Sequence, residues 1–135
     1  MSKIRGYTTG VFDLFHIGHL NIIEQAKTQC DELIVGVSTD ELVKEYKGEK
    51  PIIPLKERMR IISALSDVDE VIKQHELDKL SAWKKIKFDK LFHGSDWKDT
   101  KLYNSTIAEL KKVGAEVVFF EYTPGTSSTI LKKFL

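Results

Sequence analysis

Apolar and polar positions alternate along the chain in two recurring patterns. Short runs rich in branched residues and bounded by polar punctuation mark buried parallel strands at Glu32–Ser38, Lys90–His93 and Glu116–Glu121, with Asp69–Lys73 a weaker run of the same kind. Lys3–Thr9 reads as the first strand, although Gly6 and Arg5 interrupt it. Between these runs the apolar period lengthens to that of a helix. Ile17–Thr28 carries Leu20, Ile23 and Ala26 on one face, widened by Ile22. Leu55–Leu65 carries Met59, Ile62 and Leu65, and follows Pro54, which suits a first-turn proline. Asn104–Val113 presents Ile107, Leu110 and Val113 and stops at Gly114. Thr126–Leu135 opens on hydroxyl residues that can cap and closes with Ile130, Leu131 and Phe134. Glu45–Pro54, with Gly48, Pro51 and Pro54, reads as a loop after the second strand and its helix.

Strand and helix in alternation predict an α/β fold, Rossmann-like, with three α/β/α layers, a five-stranded mostly parallel sheet and right-handed crossovers. Ligands of such sheets lie outside the carboxyl ends of the strands. Residues 9–19, 94–97 and 122–129 follow the first, fourth and fifth strands, and Lys44, Lys47 and Lys50 follow the second, so all are expected at one rim.

Composition narrows the ligand. The 135 residues suit one domain spanning 1–135, and 41% hydrophobic with 30% charged residues is an ordinary globular balance. Lys and Arg number 21 against 20 Asp and Glu, so no bulk field draws nucleic acid or anionic membrane, and anion binding must arise locally. Cys30 is the lone cysteine, which excludes an internal disulfide. The N-terminus lacks the apolar core of a signal peptide, and no run approaches a membrane span, so a cytoplasmic protein is expected.

The richest segment is Gly10-Val-Phe-Asp-Leu-Phe-His-Ile-Gly-His19. Its two histidines, three apart at a strand-to-helix turn, fall near one side of the first helical turn. Amides and helix dipole there favour phosphate oxygens, and Gly18 clears room for a nucleotide. Each imidazole can donate to phosphate and stabilise charge at a pentacovalent phosphorus. The same residues also read as two solvated histidines, or as a metal set of Asp13, His16 and His19, though no further His/Cys cluster accompanies them. A mobile lysine among Lys44, Lys47 and Lys50 can neutralise a leaving pyrophosphate. Arg58 near a helix start opposes the macrodipole and so calls for a specific anion, either substrate phosphate or a structural carboxylate such as Asp13. Asp96 can accept from a ribose hydroxyl or a base amino group, Trp97 offers a stacking face, and Thr126–Thr129 can form a second phosphate cradle.

The first segment resembles the GxFDxxHxGH signature of the cytidylyltransferase branch of the HIGH nucleotidyltransferase superfamily. A bare HxGH also occurs in the much longer aminoacyl-tRNA synthetases, but here the resemblance runs through Ser38-Thr-Asp40, Lys47, Arg58, Val68-Asp-Glu-Val71, Gly94-Ser-Asp-Trp97 and Gly125-Thr-Ser-Ser-Thr129. In length and order it is closest to bacterial glycerol-3-phosphate cytidylyltransferases. It implies transfer of CMP from CTP to a small phospho-alcohol, with glycerol 3-phosphate giving CDP-glycerol and pyrophosphate for teichoic-acid or capsule synthesis. Mg²⁺ would accompany the triphosphate, with no dedicated protein metal site. By the same resemblance His16, His19 and Lys47 are catalytic. Gly10, Val11, Phe12, Gly18, Asp96, Trp97, Tyr122, Gly125, Thr126, Ser127, Ser128 and Thr129 join the histidines in holding the nucleotide. Asp13, Lys47, Lys50, Arg58 and Lys79 hold the substrate, and Val68–Val71 lies where similar enzymes form homodimers.

The chain departs from the pattern at three places. Tyr122 stands where the family has a triphosphate-binding arginine, Ser66 replaces a second arginine, and His75–Lys79 aligns poorly where the family has a tryptophan. Nucleotide choice and acceptor therefore stay open. Lys47-Gly48 and Pro54–Met59 also resemble the adenylyltransferase domain that activates heptose phosphate, which keeps ATP as an alternative. From another class, a nucleotide-binding sensor without activity is the competing reading.

Overall fold

The computed structural model describes residues 3–95, 100–121 and 131–133. Strands β1 (Arg5–Gly10), β2 (Glu32–Ser38), β3 (Glu70–Gln74), β4 (Lys90–Gly94) and β5 (Glu116–Phe120) form one sheet in the order β3-β2-β1-β4-β5. Every pairing is parallel, so the expected mostly parallel sheet is wholly parallel among the described residues. Helices α1 (Ile17–Lys27), α2 (Asp40–Lys47), α3 (Leu55–Ser63), α4 (Lys79–Ile86) and α5 (Lys101–Lys112) make the crossovers.

Successive residues of a strand face opposite sides, and β2 shows the consequence. Leu33, Val35 and Val37 pack in a core with Ile23 and Ala26 of α1 and Ile62 of α3, whereas Ile34 joins Tyr7, Ile86, Phe88, Tyr103 and Leu110 against α4 and α5. The sheet thus lies between two helical layers. The chain moves outward from β1 to β3 and then returns past β1 to β4. The direction of winding reverses between β1 and β4, which opens a crevice at their carboxyl ends.

Gly6 sits inside β1 because nothing larger fits. A Cβ there would lie 2.6 Å from Cε2 of Phe92 and 2.7 Å from Sγ of Cys30. Three helices differ from the sequence expectation. Thr39 caps α2 by accepting from the amide of Leu42, and the helix runs to Lys47 before Gly48 ends it at φ 87°. Lys44 and Lys47 are therefore helical, and the loop begins only at Gly48. Helix α4, capped by Asp78, was not anticipated; it ends on Lys87 in the left-handed region rather than on a glycine. Helix α5 begins at Lys101, three residues early, because Thr100 supplies its cap.

Candidate active site

The turn from β1 into α1 is conformationally demanding. Phe12 and Leu14 hold φ of 55° and 50°, a left-handed geometry that costs non-glycine residues about 1–3 kcal/mol each. Phe12 is buried, and its ring meets the His19 ring edge-on at 5.4 Å.

His16 is the N-cap of α1. Its Nδ1 accepts from the amide of Gly18 at 3.0 Å, and Nδ1 of His19 accepts from the amide of His16 at 3.2 Å. The two histidines thus build the reciprocal cap that Ser and Glu usually provide. With both Nδ1 atoms accepting, each neutral ring carries its proton on Nε2 and presents it as a donor. The rings stack at 3.9 Å. Burial holds His16 below its ordinary pKa. His19 falls to about 4, through burial first and then the nearby charges of His16 and Lys47, with Asp13 opposing. Both rings are neutral at physiological pH. Lys47, the last residue of α2, is near enough for its charge to contribute to that lowering.

One sequence expectation changes here. The amides of His16, Gly18, His19 and Leu20 all donate within the chain, so the turn offers an anion fewer free backbone donors than its position at a helix start suggested.

Asp13 and Arg58, assigned to substrate by resemblance, are turned inward. Asp13 is 2% exposed; its carboxylate accepts from the amides of Ile52 and Ile53 at 2.8 and 2.9 Å and pairs with Lys132 at 3.2 Å. Burial raises its pKa, but those hydrogen bonds and the lysine outweigh it and hold the carboxyl below its ordinary value. That geometry also removes Asp13 from any metal set with the histidines. Among the described residues no group of three His, Cys, Asp or Glu side chains is arranged to hold a metal ion. Arg58 is 1% exposed and donates to the carbonyls of Ile53, Val11 and Ser38 and to the carboxylate of Asp40. The carboxylate that Arg58 pairs with is that of Asp40 and not Asp13.

Gly10 ends β1 and Val11 follows it, both half-buried, and Lys50 is exposed in the loop before α3. Lys79 opens α4 from a buried position and falls to about 8, driven by burial and opposed by Asp78. Asp96, Trp97, Tyr122, Gly125, Thr126, Ser127, Ser128 and Thr129 lie outside the described residues. The chain just beyond them returns to this site, because Lys132 reaches Asp13. Asp40, Ile52 and Ile53 were not anticipated in these roles. The signal for Asp40 was the acidic residue after the capping Thr39; backbone anchoring by Ile52 and Ile53 leaves no sequence signal.

A Rossmann-like sheet whose winding reverses beside paired, capped imidazoles defines a nucleotide-handling domain of the HIGH type. The chain belongs to the cytidylyltransferase-like family, whose model matches residues 7–134. It is 35% identical over 130 residues to the bifunctional protein HldE of Granulibacter bethesdensis, covering 95% of this chain and 26% of that protein. It is 49% identical over 70 residues to the FAD synthase of Thermococcus sibiricus, covering 52% of this chain and 47% of that one. The chain thus spans about a quarter of the length of HldE and about half that of the FAD synthase. The crystal structure of a lipopolysaccharide core biosynthesis protein from Thermoplasma volcanium superposes with a TM-score of 0.75 at 31% identity, covering 90% of this chain and 98% of that one. These relatives bear out the family expected from the motifs, and none of them is a glycerol-3-phosphate cytidylyltransferase.

Proposed function

We propose that this chain is a nucleotidyltransferase that moves a nucleoside monophosphate from a nucleoside triphosphate to a small phosphorylated acceptor. The observation that carries the reading is the pair of stacked neutral imidazoles at the turn after β1, the strand beside the winding reversal, whose Nδ1 atoms are engaged by backbone amides so that Nε2 of each carries the donor proton. A phosphate oxygen of the acceptor attacks the α-phosphorus in line, and the bond to the β-phosphate oxygen breaks to release pyrophosphate. His16 and His19 donate to the oxygens on which charge accumulates, and Lys47 neutralises the departing pyrophosphate. Mg²⁺ enters with the triphosphate as part of the substrate. Gly10, Val11, Phe12 and Gly18, with the residues at 96–97 and 122–129, hold the nucleotide in this reading. Lys50 and the buried cation of Lys79 serve the acceptor phosphate.

ATP is the first choice of nucleotide, because a relative 49% identical over 70 residues is named for making FAD, an adenine dinucleotide. CTP, implied by the signature motifs, is the second reading, and with it glycerol 3-phosphate as acceptor and CDP-glycerol for a wall or capsule polymer. Either reaction belongs in the cytoplasm, where nucleoside triphosphates are made. No helix among the described residues is long and apolar enough to cross a membrane. Pyrophosphate release measured with ATP and with CTP, each with Mg²⁺ across a panel of phospho-alcohols and sugar phosphates, tests the proposal. Turnover with one pair identifies both substrates. Nucleotide binding without turnover for any acceptor would leave a sensor and end the enzyme reading.

A further inference from the structure

Asp13 stands between two residues in the left-handed region, Phe12 and Leu14. Such backbone is costly and persists only where the surrounding structure holds it. Asp13 is buried, and its carboxylate takes two consecutive amides: Oδ1 accepts from Ile53 at 2.9 Å and Oδ2 from Ile52 at 2.8 Å. Ile53 is held from its other side as well. Its carbonyl accepts from Nε of Arg58, whose Nη1 also donates to the carbonyl of Val11. Residues 52 and 53 are therefore docked twice on the turn at residues 11–13, once through Asp13 and once through Arg58. The docked pair closes the loop that begins at Gly48, and Lys50 stands in that loop two residues before Ile52. By chain length alone its Cα lies within about 7 Å of that of Ile52. The other end of the same turn runs into His16, three residues after Asp13.

We infer that Asp13 is a positioning residue: it docks the loop of Lys50 on the histidine turn, and so sets how far the acceptor phosphate held by Lys50 stands from the imidazoles. Asp13 needs no contact with substrate for this, and the role replaces the substrate contact implied by resemblance. The inference rests on the nucleotidyltransferase reading. A carboxylate with one amide on each oxygen restrains both the distance and the tilt of the backbone it holds. That restraint matters because a misplacement of about 1 Å between reacting groups can cost roughly a hundredfold in rate.

Two variants open the clamp by different routes. Asp13→Asn keeps one acceptor oxygen and gives up the other. Ile52→Pro removes the amide that meets Oδ2 and leaves Asp13 and its ion pair with Lys132 in place. Trypsin nicking after Lys47, followed by mass spectrometry, reads the docking itself without substrate. Each variant should be cut roughly tenfold faster than the parent, since loss of a hydrogen bond to a charged group raises the opened population. Steady-state pyrophosphate release, with Mg-ATP or Mg-CTP and the phospho-alcohol or sugar phosphate that turns over, reads the consequence. KM for the acceptor should rise about tenfold in each variant while KM for the nucleotide stays within about threefold, and adding either change to Lys50→Met should produce no further rise. Parental nicking rates, an unmoved acceptor KM, equal rises in both KM values, or full additivity with Lys50→Met each overturn the inference alone. Should Asp13→Asn not fold, Ile52→Pro decides by the same criteria; failure of both to fold overturns the inference by making the clamp a determinant of folding. An unaltered chain without turnover for any pair takes it down together with the function it rests on.

Discussion

Each imidazole of the pair has Nδ1 engaged by a backbone amide, and that contact fixes both the tautomer and the direction of Nε2. His16→Asn separates the two duties of the residue. Asparagine is a good N-cap, so the melting temperature should move by only a few degrees, whereas turnover should fall by at least about a hundredfold, as when one transition-state donor is removed. Stopped-flow release of pyrophosphate checks this, and a variant of near-normal rate removes His16 from the chemistry. Protonation supplies a second test. His19 titrates at about 4 in the fold against an ordinary 6.5. Below about 6.5 the unfolded chain takes the proton and the folded one refuses it, so stability declines as pH falls and levels off near 4. The loss from His19 alone is about 3 kcal/mol. Urea midpoints measured between pH 7 and 4 should show this slope. His19→Gln, which keeps an acceptor at the third helical position, should flatten it.

Elements were legible where side-chain period and punctuation agree. Strand β2 runs over the residues its branched apolar run marked, and α1 begins at Ile17 as its period indicated. Legibility fails where a stop signal comes late or is unusual. The stop at Gly48 lets α2 run on to Lys47, and Lys87, not glycine, takes the left-handed position after α4. Within the site, the histidines could be read from their spacing, but the inward turn of Arg58 could not. Its anion and three carbonyl partners come from segments up to 47 positions away, a distance that local pattern does not span. Arg58→Met should therefore cost about 3–5 kcal/mol, since it leaves Asp40 without its buried partner and three carbonyls without a donor. Denaturant unfolding would show it, and a loss under 1 kcal/mol would contradict the inward assignment. Gly6→Ala should cost about 1–3 kcal/mol through overpacking. Pairing it with Cys30→Ala should recover part of that, because Sγ lies 2.7 Å from the new methyl.

At the scale of the whole molecule, β3 forms one edge of the sheet, and beside it a groove of about 600 Å³ is lined by Lys56, Glu57, Met59, Arg60, Ser63 and Val71. The homodimer implied by resemblance through Val68–Val71 would use this edge. Light scattering should then return about twice the 15.5 kDa of one chain, and a value near one chain at tens of micromolar would dismiss it.

The dual duty of His16 has a consequence for heat tolerance. In the proposed mechanism the residue that starts α1 also meets the triphosphate, so breathing of that single turn would disarm the protein while its sheet is still intact. Catalysis on warming should fade several degrees before the molten transition, and an acceptor or nucleotide that clasps the turn should push the two temperatures back together.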